Sequence, residues 1–192
     1  GRGLFALGGT GAIILTVASI IMAIFGLWPL WIIEYGFIWY VILITGLVLL
    51  LIGSIFVGIG YHAFYLHFER PIGIAGLAFG IICSVAFLFF AAIGMLPTSP
   101  SYYPLYTADL LLYWLGLLLY GAMLVIWGVT SILVRNSTGI SGLSLAVGIT
   151  MIIAGAFVTS FLLSFVGFVL LFTAQIMNAI VFLKTAVPSH YS

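Results

Sequence analysis

Charged residues divide the chain into long apolar stretches. The four basic and three acidic residues leave five uncharged runs, at residues 3–33, 35–68, 71–108, 110–134 and 136–183. A helix that crosses the hydrocarbon core of a bilayer needs about 20 mostly apolar residues. Each run therefore holds at least one membrane-spanning helix, and the last run is long enough for two.

Proline, glycine and short polar segments indicate where these helices end. The pattern predicts six helices, over about residues 4–27, 37–68, 72–96, 110–134, 139–158 and 165–183. Pro29, Pro71 and Pro97 mark helix ends because proline lacks a backbone donor. The break at 159–164 contains no proline, glycine or charge. Five spans with a re-entrant piece are therefore the alternative to six.

The composition agrees with a membrane location for the whole chain. Hydrophobic residues make up 66% and charged residues 4%, whereas soluble domains carry roughly 25% charged residues. The net charge of +1 provides no basic field that would attract nucleic acid. Cys83 is the single cysteine, so no internal disulfide forms. We predict an all-α integral membrane protein that forms one transmembrane domain over residues 1–192.

Lysine and arginine indicate the orientation. With six spans, one side of the bundle holds all four basic residues, Arg2, Arg70, Arg135 and Lys184. The other side holds Glu34 and Asp109. Basic residues are enriched in cytoplasmic loops, so the pattern predicts a multi-pass protein of the plasma membrane with both termini in the cytoplasm. Asp109 is predicted to stabilise the positive N-terminus of the fourth helix.

Aromatic residues gather near the predicted helix ends. The outer group comprises Trp28, Trp31, Tyr35, Trp39, Tyr102, Tyr103, Tyr106, Tyr113 and Trp114. The inner group comprises Tyr61, Phe64, Tyr65 and Phe68. Tryptophan and tyrosine favour membrane–water interfaces, so we predict two interfacial belts. A helix over 37–68 would extend about 48 Å, against about 30 Å of hydrocarbon, so it must tilt or stand out of the bilayer.

One seven-residue phrase occurs twice, as GIAGLAF at 73–79 and as GISGLSL at 139–145. The pair Gly8 and Gly11 opens the first predicted helix with the same Gly-x-x-Gly spacing. We therefore align Gly8 with Gly73 and Gly139. The pattern predicts three repeats of a helical hairpin, over about residues 4–70, 71–135 and 136–184.

Small residues in these repeats are predicted to mediate helix packing. No hydrophobic force draws helices together in lipid, so association depends on the close approach that small side chains permit. In the even helices, Gly46 and Gly53 align with Gly121 and Gly128. The predicted packing positions are Gly8, Gly11, Gly46, Gly53, Gly73, Gly76, Gly80, Gly121, Gly128, Gly139 and Gly142. In the sixth helix, Gly167 and Ala174 form the corresponding small pair. Packing within the chain and an oligomer interface are both open.

The pattern resembles that of the HdeD-like membrane proteins. The resemblance lies in odd helices that open with glycine and end in FGLWP (25–29) or IGMLP (93–97), and in even helices with glycine every seven residues. It implies a six-span protein of about this size that is associated with acid resistance and has no established chemistry. The third repeat departs from the pattern, because its odd helix ends in VTS without proline.

Polar residues at the inner end of the second helix are the first candidates for a specific contact. His62 and Glu69 are seven residues apart and would share one helix face. His67 would lie on another face, so the two histidines do not form the i, i+4 pair of a helical metal site. His62 either reaches the interface with a polar partner or binds a haem or metal.

Gln175 and Asn178 are the clearest polar feature within a span. They are three residues apart and would share one face of the sixth helix. Lipid offers their amides no partners, so this face should point inward or towards a partner subunit. The neighbour is left open between the first helix, a partner protein and a bound lipid. Interhelical hydrogen bonds and a ligand or subunit contact are both compatible with the sequence.

The sequence contains no pattern typical of an enzyme or a pump. No ionisable residue lies in the middle of a predicted span, and no nucleophile–base pair, metal cluster or phosphate loop is present. Proton pumps and ion-coupled carriers usually need an ionisable residue in the membrane. We therefore predict a protein that is not an enzyme and binds no cofactor.

Three functions are compatible with these features. The first is a non-catalytic accessory or structural subunit of a multi-subunit membrane complex, for example a respiratory one. The alternatives are a stand-alone HdeD-like acid-stress protein and a small carrier or channel for an uncharged solute. The predicted partners are the lipid bilayer and either other membrane subunits or further copies of the chain, and nucleic acid is not among them.

Overall fold

The structure, a computed structural model, describes residues 2–27, 37–94 and 107–188. Within these ranges it contains six α-helices, a short 3₁₀ turn at Arg135–Ser137 and no strand. The helices are α1 (Gly3–Leu27), α2 (Phe37–Phe68), α3 (Ile72–Gly94), α4 (Thr107–Leu133), α5 (Ser141–Thr159) and α6 (Ser164–Lys184). All six are long and apolar enough to cross a membrane. The chain is a multi-pass integral membrane protein, as predicted.

The uncertain break between the last two helices is a short turn. α5 ends at Thr159, and the Leu163 backbone N–H donates to the Ser160 carbonyl oxygen before α6 begins at Ser164. Hydroxyl side chains near such an end compete for backbone hydrogen bonds, which favours a turn over a continuous helix. The prediction of six spans is confirmed, and the five-span alternative is wrong.

The six helices form a closed ring in chain order. Each helix packs along the next, and α6 packs against α1 to complete the ring. Because successive helices run antiparallel, the starts of the odd helices and the ends of the even helices lie at one end of the bundle. Five of the seven charged residues lie there, at Arg2, Glu69, Arg70, Arg135 and Lys184, whereas Asp109 lies in the first turn of α4 at the opposite end. We call this the basic end.

Glycines allow the closest approaches between helices. A Cβ atom placed on Gly128 of α4 would lie 2.6 Å from the Gly148 carbonyl oxygen of α5, and one on Gly121 would lie 2.7 Å from that of Gly155. Gly148 and Gly155 were missed by the sequence analysis, although they have the same seven-residue spacing. Any side chain here would push the two backbones apart, so glycine is required by space.

The other predicted packing glycines lie at several different interfaces. Gly8, Gly11, Gly46 and Gly53 lie between α1 and α2, and Gly73, Gly76 and Gly80 lie between α2 and α3. Gly167 lies against Ala154 and Val158 of α5. The predicted alignment of Gly46 and Gly53 with Gly121 and Gly128 therefore matches positions that are not equivalent in the structure. The first pair faces α1, and the second pair faces α5.

Gly139 and Gly142 do not pack against another helix. A Cβ atom on either would meet no atom within 4 Å. Gly139 lies before α5 rather than within it, with φ of 77°, a left-handed conformation that favours glycine. Gly142 is in the first turn of α5 and exposed. The predicted packing role of these two glycines within the chain is wrong, because they lie in or next to a connection.

Burial reveals a different register for the repeat. The buried residues of α2, α4 and α6 follow one another in the same order, with Gly46, Gly116 and Gly167 at corresponding positions. Tyr61, Ser131 and Phe182 also correspond. Their side chains meet in the middle of the ring, since Tyr61 bonds to Ser131 and its ring centroid lies 5.2 Å from that of Phe182. The three hairpins are thus arranged about a pseudo-threefold axis.

The odd helices follow the same arrangement. Gly73 of α3 lies against the Tyr61 carbonyl oxygen, and the Ser144 hydroxyl of α5 donates to the Ser131 carbonyl oxygen at 2.8 Å. Because Tyr61 and Ser131 correspond, Gly73 corresponds to Ser144. The predicted alignment of Gly73 with Gly139 is therefore wrong in register. The contacts place Gly76, not Gly73, at the position that corresponds to Gly8, because Gly76 lies against the Tyr61 ring and Gly8 lies against the Phe182 ring.

Large side chains fill the axis of the ring. Trp127, Tyr120, Phe87, Phe168 and Phe182 are almost completely buried. Tyr61, Phe64 and Tyr113 were predicted to lie in interfacial belts and belong to this core instead. Trp114 is partly exposed and donates to the Thr159 carbonyl oxygen at 2.8 Å. Six of the predicted belt residues lie outside the described residues, namely Trp28, Trp31, Tyr35, Tyr102, Tyr103 and Tyr106.

Candidate functional site

A cluster of neutral polar side chains lies at the centre of the ring. We call it the Tyr61 cluster, and it consists of Tyr61 on α2, Ser131 on α4, and Gln175 and Asn178 on α6. All four are at most 2% exposed. The cluster joins three helices that are not neighbours in the ring. Side chains on these helices can reach one another only where they point to the axis of the ring.

The Tyr61 hydroxyl is the hub of this cluster. Its oxygen lies 2.7 Å from the Ser131 hydroxyl oxygen. The Asn178 side-chain amide donates to the Tyr61 hydroxyl oxygen at 3.3 Å and to the Gln175 side-chain oxygen at 3.3 Å. The Met151 sulfur of α5 lies 3.8 Å from the Tyr61 hydroxyl oxygen. Residues from all three hairpins therefore converge on one hydroxyl group.

One donor of the cluster lacks a partner in the described part of the chain. The Gln175 Nε2 atom is buried and makes no hydrogen bond there. Leaving a buried donor unsatisfied costs roughly 1–3 kcal/mol. The expectation that this face of α6 turns away from lipid agrees with the geometry, and Asn178 reaches α2 rather than the ring neighbour α1.

A second polar contact crosses the ring nearer its other end. The Ser54 and Tyr120 hydroxyl oxygens are 3.0 Å apart. Between the ring neighbours α3 and α4, the Trp127 indole N–H donates to the Gly76 carbonyl oxygen at 2.9 Å. Ser54 precedes Tyr61 by two helical turns, or about 10 Å along α2. Two hydrogen-bonded levels thus tie α2 to α4 across the axis.

These contacts can hold helices together through neutral hydrogen bonds. Tyrosine, serine and the two amides are neutral at physiological pH. In the described ranges, no three histidine, cysteine, aspartate or glutamate side chains gather where they could hold a metal ion. The described interior therefore provides neutral hydrogen-bond donors and acceptors only.

His62 and Glu69 do not share a face as predicted. α2 ends at Phe68, and Glu69 follows it with φ of 54°, so the helical spacing does not extend to Glu69. Glu69 is exposed beyond the helix end. His62 is half-buried, and its ring centroid lies 5.7 Å from that of Tyr65. Asp109, predicted to stabilise the start of α4, lies in the first turn of that helix, and its side chain is outside the described part of the structure.

Sequence reasoning missed Tyr61 and Ser131 as members of the cluster. A signal was present in the spacing of polar residues. Ser54 and Tyr61 are seven residues apart, and Tyr120 and Ser131 are eleven apart, so each pair occupies one helix face. Polar groups that recur on one face of a membrane helix indicate an inward-facing surface, because lipid cannot bond them.

We compared the chain with protein family models, with curated proteins and with solved structures, and it matches none of them.

Proposed function

We propose that this integral membrane protein is a non-catalytic accessory subunit of a larger complex in the plasma membrane. The observation that supports the proposal is that the buried polar side chains form hydrogen bonds with one another. Those of α2, α4 and α6 mainly bond one another across the axis. They therefore stabilise the bundle instead of forming a surface for a substrate.

The filled axis favours a structural role over a carrier or channel. A conducting route along the axis would have to separate Tyr61 from Ser131 and Ser54 from Tyr120, and would have to move the fully buried Trp127 side chain. Carriers built from repeats usually place a site near the midplane between discontinuous helices. α2, with 32 residues, runs unbroken through this level.

Short connections favour partners within the membrane plane. Residues 69–71 join α2 to α3, and residues 160–163 join α5 to α6. Such connections offer little surface to a soluble protein. The helix surfaces that face outward carry large apolar side chains, for example Ile82 and Phe89 on α3 at 64% and 63% exposure. A membrane-embedded partner can pack against such a surface.

The native mass of the protein tests this proposal. The chain, tagged and expressed at its natural level, is extracted in mild detergent and weighed by light scattering and native mass spectrometry. We expect the 20.7 kDa chain to run within a larger assembly, at a constant ratio to at least one other polypeptide. The same chain produced in excess, without its partners, serves as the control.

Recovery of only a monomer or a homo-oligomer from the native membrane would contradict the subunit proposal. That result would favour a stand-alone protein, either of the HdeD-like kind that the sequence resembles or a carrier. Uptake of uncharged solutes into vesicles that contain the purified protein would then separate these two. A carrier accelerates the uptake of a specific solute, and an HdeD-like protein without transport activity does not.

A further inference from the structure

A cleft opens at the basic end of the bundle. It has a volume of about 470 Å³ and lies between the end of α2, the connection before α5 and the end of α6. Its lining includes Phe68, Ser137, Thr138, Ile140, Lys184 and Ala186. The end of α2, the connection from α4 to α5 and the end of α6 therefore meet at one opening at the basic end.

One positive side chain lines this cleft, and a second is hydrogen-bonded to a residue of its wall. Lys184 forms part of its wall, and the Arg70 Nε atom donates to the Ser137 hydroxyl oxygen at 3.3 Å. Arg135 begins the 3₁₀ turn that supplies Ser137. Glu69 is the one acidic residue among the described charged residues at this end. The side chains around the cleft thus leave an excess of positive charge.

Helix dipoles do not cancel this charge. Three helix N-termini, of α1, α3 and α5, and three C-termini, of α2, α4 and α6, meet at the basic end. Each terminus carries about half an elementary charge, positive at an N-terminus and negative at a C-terminus. These contributions offset one another, and the lysine and arginine side chains determine the sign of the local field.

The cleft combines this charge with an apolar wall. Phe68, Ile140 and Ala186 supply apolar surface beside the hydroxyl groups of Ser137 and Thr138. An inorganic anion would use only the cations and hydroxyls. A lipid would use both parts, because its phosphate binds cations and hydroxyls while its glycerol and first acyl carbons pack on apolar side chains. Basic pockets between membrane helices bind anionic headgroups in this way.

We propose that this cleft binds the phosphate headgroup of an anionic phospholipid. Lys184 and Arg70 attract the headgroup charge, and Ser137 positions the Arg70 guanidinium through its hydroxyl. Arginine presents several N–H donors in one plane, so the groups beyond Nε are suited to phosphate oxygens. The bound lipid would lie in the leaflet at the basic end.

Lipid binding to the purified protein tests this site. The detergent-solubilised protein is titrated with phosphatidylglycerol, and the retained lipid is counted by native mass spectrometry. Phosphatidylcholine, which has a phosphate but no net charge, is titrated in parallel. We expect Lys184→Gln and Arg70→Gln each to weaken phosphatidylglycerol binding by about fivefold, the effect expected for one cation near anionic lipid. Lys184→Arg should retain binding, because it retains the charge.

Arg2→Gln is the matched control. It removes one cation from the same end of the bundle. In the described part of the chain, Arg2 neither lines the cleft, as Lys184 does, nor bonds to a residue of its wall, as Arg70 does. We expect its phosphatidylglycerol affinity to stay within about twofold of wild type. Equal weakening by Arg2→Gln and Lys184→Gln would overturn the proposal, because it would show a general surface charge effect. Equal binding of the two lipids would also overturn it.

A competition with inorganic phosphate shows whether the cleft binds a lipid headgroup or a free phosphate ion. If free phosphate at millimolar concentration displaces phosphatidylglycerol completely and binds in its absence, the site is for a soluble anion and the lipid proposal fails. If phosphate leaves lipid retention unchanged, the apolar wall contributes and the proposal stands. Thermal unfolding of each variant checks that it is folded. Where a glutamine variant unfolds, Ser137→Ala replaces it and should weaken binding by releasing Arg70.

Discussion

The segments 73–79 and 139–145 differ in surroundings although their sequences nearly coincide. In the first, Gly73 and Gly76 are buried against Tyr61 of α2. In the second, Gly139 and Gly142 are exposed and touch no other helix. The contact that Gly73 makes with the carbonyl group of Tyr61 is made by Ser144 in the second segment, with the carbonyl group of Ser131.

The length of the preceding connection explains this difference. Only residues 69–71 separate α2 from α3, so the first turn of α3 is already pressed against α2 at Gly73. The 3₁₀ turn and Gly139 separate α4 from α5, and the helix begins only at Ser141. The first segment thus begins inside α3, at its interface with α2. The second segment begins in the connection before α5. A sequence repeat and a structural repeat can therefore differ in register.

Gly73→Ala should have the largest effect on stability. The added methyl group would overlap the carbonyl oxygen of Tyr61, which belongs to the backbone and cannot rotate away. Overpacking typically costs 1–3 kcal/mol, and we expect a loss of about 3 kcal/mol, measured by denaturant unfolding in detergent. Gly142→Ala in the second segment is the matched control. Equal stability of these two variants would show that the segments have the same environment.

Tyr61→Phe should have the next largest effect. It keeps the ring that packs on Gly76 and removes the hydroxyl that Ser131 and Asn178 share. Two buried polar groups lose a partner, and we expect a loss of about 2 kcal/mol. Tyr65→Phe, one turn further along α2 and exposed, should cost less than about 0.5 kcal/mol.

A double-mutant cycle would sharpen the interpretation of Tyr61. If Asn178 acts through the Tyr61 hydroxyl, Tyr61→Phe and Asn178→Leu should be coupled, by about 0.5 kcal/mol or more. Strict additivity would mean that the cluster is not a single hydrogen-bonded unit.

Ser144→Ala tests the register of the second segment. It removes the hydroxyl that donates to the Ser131 carbonyl oxygen at 2.8 Å. Hydrogen bonds between membrane helices are worth about 0.6 kcal/mol on average, so we expect a loss of about that size in the same unfolding assay. Ser141→Ala, at the exposed start of α5, should leave stability unchanged. A larger effect at Ser141 than at Ser144 would contradict the register.

Gly142→Ala should have the smallest effect, and its sign should be opposite. The position is helical, exposed and free of neighbours. Alanine loses less backbone freedom than glycine on folding, so we expect stability to be unchanged or raised by up to about 0.5 kcal/mol. A measurable loss would show that Gly142 contacts something in the membrane, such as a partner subunit.

The helices and the basic end could be predicted from sequence, and the repeat register could not. Runs of apolar residues between prolines and charges fix the helices directly, because lipid demands both length and apolarity. Glycine is ambiguous, because it serves both close packing and left-handed connections. Gly128 has the first role and Gly139 the second, and only the neighbouring helix distinguishes them.

Two of the four residues of the Tyr61 cluster could be predicted from the sequence. An amide in lipid has few acceptable surroundings, so Gln175 and Asn178 had to turn away from it. Tyrosine is acceptable at the interface and, with a partner, in the core. Tyr61 lies about two turns before the end of an unusually long helix, and its position in depth depends on how that helix is tilted. Its partner Ser131 is on a distant part of the chain, which local patterns do not reveal.

Closure of the ring by α6 on α1 sets an order of events during biosynthesis. Chains are folded from the N-terminal side as they are made, and α6 is the last of the six helices to leave the ribosome. Until then, the faces of Gly8 and Gly9 that receive Phe182 and Leu183 are open to lipid. The hydrogen bond from Asn178 to the Tyr61 hydroxyl oxygen likewise cannot form until then, because Asn178 is 117 residues further along the chain. Ring closure therefore requires the chain through α6, and a chain that stops before Ser164 lacks these contacts with α1 and α2.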